Sequence, residues 1–272
     1  MGDGAPLMDV VLSVRNLTLH FAGVVAVQDL SLSLREGELL GIIGPNGAGK
    51  TSVLNCINGF YRPQAGRIVF RGRDVTHLPP HVRAQLGISR TFQNIALYPH
   101  MTVLQNILSG RLLHMRSPLL ACGVYWGLAQ REVLQHRERV EEIIDFLEIE
   151  AYRDHRVAEL PYGIQKKVEL GRALAMEPSL LLLDEPMAGM TVDEKADMAR
   201  YVLELREVRG LPMILIEHDM GVVMDLCDRL VAMDYGRKIA EGSPREIQHH
   251  PDVIRAYLGE EHGEAEEVVG SA

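Results

Sequence analysis

The sequence predicts an α/β fold in which a mostly parallel sheet is covered by helices on both faces. Three observations predict it. Short apolar runs that end in a glycine-rich turn or in acids alternate with segments of helical spacing. The 272 residues are 47% hydrophobic, enough to bury a sizeable core. From about Val103 to Leu147 helical spacing dominates, with Val140, Ile143, Ile144 and Leu147 on one face, so a helical insertion is expected there.

Taken in order, Val11 to Leu19 and Val24 to Leu34 alternate apolar and polar residues in part, as half-buried strands do. Leu39 to Ile43 is a third strand that stops at a glycine-rich turn, and Thr51 to Asn58 reads as the helix after it. Gly66 to Phe70 is a further strand, bent back at Arg71-Gly72-Arg73-Asp74. Beyond the helical stretch, strands are expected at Leu180 to Leu183 and Met213 to Ile216, alternating with helices over Gln165 to Met176 and Lys195 to Val208. No internal repeat is found.

Composition excludes several classes. The longest apolar stretch, Ser117 to Ala129, is shorter than the ~20 residues a spanning helix needs, so the chain is not expected to cross a bilayer. Met1 to Asp9 holds two acids and no base, which does not fit a secretory signal, and the cytosol is the expected compartment. Cys56, Cys122 and Cys227 lie far apart with no Cys-x-x-Cys spacing, against a disulfide framework or metal knuckle. The formal charge of −9 disfavours a nucleic-acid partner. Part of that charge is local: Glu260, Glu261, Glu264, Glu266 and Glu267 stand without a base in a solvated acidic tail, 260–272.

Gly44-Pro45-Asn46-Gly47-Ala48-Gly49-Lys50-Thr51, followed by Ser52, fits Gly-x-x-x-x-Gly-Lys-Ser/Thr and sits between an expected strand and an expected helix. Glycines there let successive amides converge on phosphate oxygens, and the helix adds the positive end of its dipole. Lys50 would reach the β and γ phosphates of ATP, and Thr51 would be a ligand of Mg²⁺. Leu180 to Leu183 delivers Asp184 and Glu185 at a strand end, where open parallel sheets bind ligands. Asp184 would serve the Mg²⁺ shell; Glu185 would orient or deprotonate the attacking water. Ile214-Leu215-Ile216-Glu217-His218-Asp219 ends another strand, and its position makes His218 a candidate γ-phosphate sensor.

These motifs, the long interval between Lys50 and Asp184 and the helical insertion within it, resemble the ATPases of ABC transporters from about Val10 to Gly259. The resemblance implies a RecA-like P-loop NTPase core (10–92 and 165–240), a small antiparallel β subdomain, a helical subdomain at about 93–164 and a C-terminal extension at 241–259. It places Phe21 at the adenine-stacking aromatic, Ala26 at the small residue beside it, and Gln93 at the glutamine that touches Mg²⁺ or water. The family signature, usually Leu-Ser-Gly-Gly-Gln, matches Leu160-Pro161-Tyr162-Gly163-Ile164 followed by Gln165, and only Leu160 and Gly163 are kept. Pro161 has neither hydroxyl nor amide proton. A hydrogen bond to a charged phosphate oxygen, ordinarily about 1.5 to 3 kcal/mol, therefore has no obvious replacement there. Thr191 in Ala188-Gly189-Met190-Thr191 stands where many relatives have Asp.

Gly87 to Asn94, Pro99 to Val103, Glu185 to Met190 and Ile254 to Gly259 look like the LivG type of branched-chain amino acid importers. That resemblance implies a peripheral subunit on the cytoplasmic face of the membrane, paired with a LivF-like ATPase or with its own copy. It also implies two permeases and, indirectly, an extracytoplasmic binding protein. The apolar stretch around Trp126 is either a permease-gripping surface or subdomain core. Two alternatives stay open: an ATP-gated regulatory clamp that hydrolyses weakly, and an ABC ATPase serving another solute. A DNA-repair or translation ATPase of the same family fits less well, for neither a duplicated half nor a long coiled-coil pattern is present.

Overall fold

The computed structural model of the chain describes residues 10–91, 96–115 and 128–257. The first two strands, β1 (Val10–Phe21) and β2 (Val24–Arg35), pair antiparallel through the turn at Ala22 and Gly23. With β4 (Ala65–Phe70) and β5 (Arg73–Asp74) they form a four-stranded sheet in the order β2-β1-β4-β5. The second sheet runs β10-β9-β3-β8-β7-β6, from β3 (Leu39–Ile43), β6 (Ile88–Arg90), β7 (Leu180–Asp184), β8 (Met213–Ile216), β9 (Arg229–Asp234) and β10 (Arg237–Gly242). All its pairs are parallel except the β9–β10 hairpin.

Every residue of β3, β7 and β8 is buried, so their sequences read as unbroken apolar runs. Strand parity divides the core in two. Leu40, Ile42, Leu182, Ile214 and Val231 face the antiparallel sheet and α1 (Lys50–Asn58), whereas Ile43, Leu181, Leu183, Leu215 and Leu230 face the other helices. A buried Leu or Ile side chain contributes about 1.5 to 3 kcal/mol relative to an exposed one, so these strands anchor the loops at their ends.

Helix α2 (Pro80–Gln85) leads into β6, and α3 (Val103–Ser109) starts at a capping box between Thr102 and Gln105. A 3₁₀ turn over Gly110–His114 follows, then α4 (Leu128–Phe146). Cys122, Trp126 and most of the apolar Ser117 to Ala129 stretch lie outside the described residues. Helix α5 (Tyr162–Ala175) begins three residues before the expected Gln165, and α6 (Val192–Glu207) three before Lys195. Helices α7 (Met220–Leu226) and α8 (Pro244–Gln248) and a helix over 251–257 complete the described chain. Among the described residues no helix is long and apolar enough to cross a membrane.

Candidate nucleotide-binding and catalytic site

Because β3, β8 and β7 are neighbours in that order, the segments leaving their C-terminal ends emerge side by side. These segments are the loop 44–49, Glu217-His218 and Glu185. In the loop, Gly44, Gly47 and Gly49 have φ of 147°, 76° and 96°, the left-handed region that disfavours side chains. Space is as restrictive as angle: a Cβ on Gly44 would stand 2.1 Å from the Met233 carbonyl oxygen, and one on Gly49 2.2 Å from that of Ala26. The backbone therefore curls, and Lys50 Nζ donates to the carbonyls of Gly44 (2.6 Å) and Pro45 (2.8 Å) across the curl. Helix α1 starts at Gly49 with no capping side chain and no acid in its first turn, leaving its N-terminal end electropositive.

A cleft of about 340 Å³ opens above this turn. It is lined by Ala26, by Asn46 to Ser52, and by Glu185 and His218, with Val24 and Val25 on the side of the antiparallel sheet. Gly44 and Pro45 lie at its base through Lys50. Phe21 stands apart from this lining, half-exposed and edge-on to Tyr61 with ring centroids 4.9 Å apart. Gln93 lies outside the described residues.

Asp184 is fully buried and divides its two oxygens. Oδ1 is 3.5 Å from Thr51 Oγ1, and Oδ2 accepts from Arg90 at 2.6 Å. The same guanidinium donates to Asn55 Oδ1 at 2.5 Å. Glu185 follows with a left-handed backbone (φ 50°) and an amide bonded to the Ile216 carbonyl at 2.9 Å. Its Oε1 is 2.8 Å from His218 Nε2, so the carboxylate and imidazole drawn from two strands form a pair at the cleft edge. Behind them, buried Glu217 accepts the amides of Met187 (2.7 Å) and His218 (3.3 Å). Burial pushes its carboxyl above the usual range, and those two amides oppose the rise.

The oxygen set suits a hard, small cation. Thr51 offers a hydroxyl and Asp184 a carboxylate oxygen in the same spot, and among the described residues no group of three or more His, Cys, Asp or Glu forms a metal cage. Magnesium characteristically takes one or two protein oxygens and fills its octahedron with phosphate and water, so these residues fit it.

The signature segment lies elsewhere. Pro161 is the N-cap residue of α5 and makes no side-chain cap; Gln165 Nε2 instead reaches back to the Leu160 carbonyl at 2.8 Å. Leu160 and Gly163 are buried, Pro161 and Tyr162 exposed, Ile164 half-buried, and none of them lines the cleft of its own chain. Gly163 packs on Glu194: a Cβ there would come within 2.1 Å of Glu194 Oε1. Glu194 is itself held in a capping box with Thr191, the N-cap residue of α6. A Cβ on Gly189 would stand 3.2 Å from the Tyr162 ring. Sequence reasoning missed Arg90, Asn55 and Glu217, whose contacts depend on which strands become neighbours.

A lysine-bearing glycine loop and two strand-end acids on one parallel sheet, with an antiparallel sheet beside it, define a P-loop ATPase of the ATP-binding cassette type. Comparison with known proteins agrees. The family model for the ABC transporter matches residues 27–188, and that for the branched-chain amino acid ATP-binding cassette transporter matches 237–263. A relative in Salmonella typhimurium, the high-affinity branched-chain amino acid transport ATP-binding protein LivG, is 40% identical over 92% of this chain and 98% of its own. BraF of Pseudomonas aeruginosa, with the same description, is 38% identical with the same coverage. A solved structure of the ADP conformation of MJ1267, an ATP-binding cassette of an ABC transporter, superposes with a TM-score of 0.80 at 34% identity, covering 92% of this chain and 99% of that one. A nucleotide-free cassette gives 0.79, also at 34% identity, covering 91% and 98%. The chain belongs to the ABC transporter ATP-binding family, among its branched-chain amino acid transport members.

Proposed function

We propose that this chain is the ATP-hydrolysing subunit of an importer for branched-chain or other hydrophobic amino acids. The observation that supports this most is the convergence of Lys50, the Thr51–Asp184 oxygen pair and the Glu185–His218 pair at the ends of three adjacent strands. Lys50 exchanges its two carbonyl partners for the β and γ phosphates of ATP, while the amides of 46 to 52 and the α1 dipole supply the rest of the cradle. Mg²⁺, when bound, neutralises charge on the transferring phosphoryl group. Thr51 and Asp184 would hold it, with Gln93 expected beside them from the family resemblance alone. Ala26 and the Val24–Val25 edge form the adenine side of the cleft, and Phe21, which packs on Tyr61 outside that lining, would have to turn toward it to stack on the base.

Glu185 accepts the proton of the attacking water. With its own proton on Nε2, His218 donates to Glu185 Oε1 and fixes the direction of that carboxylate. Leu160 to Gln165 faces the nucleotide of a second ATPase subunit, LivF-like or identical, where the buried Gly163 and the start of α5 present backbone amides. Pro161 cannot present one. The helical subdomain, about 93–164, carries closure to the permeases, which puts the chain on the cytoplasmic face of the membrane with a binding protein beyond. The residues that support hydrolysis, Glu185 and His218, favour this reading over a regulatory clamp.

Lys50→Ala is expected to weaken binding of a fluorescent ATP analogue by about 10- to 100-fold, because it removes a charge-assisted contact to phosphate. Glu185→Gln is expected to keep binding within about threefold and lower hydrolysis by about 100-fold or more. Wild-type nucleotide affinity in the Lys50 variant would sink the proposal. Reconstitution with the co-purifying membrane subunits, and uptake assays with leucine, isoleucine and valine, test the solute.

A further inference from the structure

One side chain braces the two halves of the metal site from behind. Arg90, the last residue of β6, is almost wholly buried, and its guanidinium spans two partners. One nitrogen bonds Asp184 Oδ2 at 2.6 Å, and another bonds Asn55 Oδ1 at 2.5 Å. Asp184 ends β7; Asn55 sits on α1, whose first two residues are Lys50 and Thr51. The fork therefore ties the helix that carries the hydroxyl to the strand that carries the carboxylate.

A carboxylate left to itself can turn either oxygen toward a cation. With Oδ2 claimed by the guanidinium, Oδ1 is the oxygen that faces Thr51, at 3.5 Å. A planar fork enforces this better than an ammonium would, since its nitrogens bind two acceptors in one rigid plane. Burial adds a second demand, because a carboxylate out of water without a counter-charge is costly to keep. Thr91, the next residue, accepts the Asp184 amide on its hydroxyl oxygen at 3.4 Å, so the end of β6 and the residue after it hold both the backbone and the side chain of that aspartate.

We propose that Arg90 is a positioning residue for Mg²⁺, presetting the Thr51–Asp184 oxygen pair by holding Asp184 Oδ2 and Asn55 together. This rests on the reading that Thr51 and Asp184 hold Mg²⁺. It goes beyond that reading by assigning the metal site's geometry to a residue that touches neither metal nor nucleotide. Arg90 also lies three residues before Gln93, so the brace joins the metal site to the start of the segment that enters the helical subdomain.

The test titrates Mg²⁺ against a fluorescent ATP analogue on the full chain, with a parallel series in EDTA. Arg90→Met is expected to raise the Mg²⁺ midpoint about tenfold or more, the size of effect typical for a residue behind a metal ligand, while metal-free affinity stays within about twofold. Arg90→Lys keeps the charge but meets only one of the two acceptors, so its midpoint should rise by about threefold and rescue the Met variant in part. Asn55→Ala, which cuts the other arm, should also fall between wild type and Arg90→Met. An unchanged midpoint in Arg90→Met overturns the proposal, as does an equal loss of metal-free binding. Should Arg90→Met not fold, an unchanged midpoint in both Arg90→Lys and Asn55→Ala overturns it. A wild-type chain whose binding ignores Mg²⁺, or a Lys50→Ala chain that binds nucleotide normally, overturns the metal-site reading itself and Arg90's part with it.

Discussion

Glu185 shows how much backbone the fold commits to one side chain. A non-glycine residue in the left-handed region costs on the order of 1 to 3 kcal/mol, and it persists here because the Glu185 amide is tied to β8 and its carboxylate to His218. Its identity was legible in the sequence, since an apolar run ending in two acids downstream of a glycine-lysine loop has few other readings. The residues behind it were not: Arg90 and Glu217 each sit next to a recognisable motif, but their partners lie across strand pairings that spacing alone does not reveal. Two cysteines without an assigned role carry a testable consequence. Burial pushes the Cys56 thiol up to about 12 and Cys227 likewise to about 12, against an ordinary value of 9.0. Both are acids whose folded value is raised, so their contribution to stability is whole below pH 9 and is lost as pH climbs toward 12. Denaturant midpoints should therefore fall between pH 8 and 10.5, at about 1.4 kcal/mol per thiol for each unit above 9. At pH 8 a maleimide should leave both thiols unmodified in the native protein and label both in guanidinium; ready native labelling would refute the burial.

At the scale of elements, the far end of α1 matters as much as the end that meets the cleft. Arg83 from α2 is completely buried and donates to the carbonyls of Cys56 (2.5 Å), Ile57 (2.7 Å), Leu78 (2.9 Å) and Thr76 (2.9 Å). The first two lie in the last turn of α1, where the Cys56 carbonyl also accepts the Gly59 amide at 3.3 Å, so a buried cation adds to that cap and meets the negative end of the helix dipole. Burial pushes the guanidinium down to about 10, which leaves it charged at neutral pH. Arg83→Met removes these bonds and is expected to destabilise by about 3 kcal/mol or more, a fall in melting temperature of roughly 6 to 12 °C for a domain of this size. Calorimetry checks it, and a shift under about 2 °C would show that water replaces the guanidinium without loss. Strands β1 to β4, β7 and β8 were legible as elements because their apolar runs are long or alternate. Strand β6 was not, having only three residues, and neither was the β9–β10 hairpin, whose Tyr235-Gly236 turn lacks the usual Asn-Gly signal. The early starts of α5 and α6 have local causes: Thr191 closes a capping box before α6, and Pro161 stands where the helix needs no amide proton from it, while the apolar spacing of both helices begins only later.

For the whole molecule, the signature and the cleft belong to different nucleotides if two ATPase subunits meet face to face. In a mixed dimer, this chain's Pro161 would weaken the site built on the partner's loop, while its own Lys50 and Glu185 work against the partner's signature. Glu185→Gln here is then expected to cost more hydrolysis than the matching change in the partner, by about threefold or more if one hydrogen bond separates the sites. Equal losses in steady-state rate would argue against such asymmetry. Within this chain the start of α5 is held by Gly163 on Glu194 and by Tyr162 on Gly189. Those contacts join α5 to the loop that leads from Glu185 into α6, with the Glu194 side chain seated directly on Gly163. A displacement of α5 would therefore be felt by the chain just downstream of Glu185, which couples the signature end mechanically to the catalytic carboxylate.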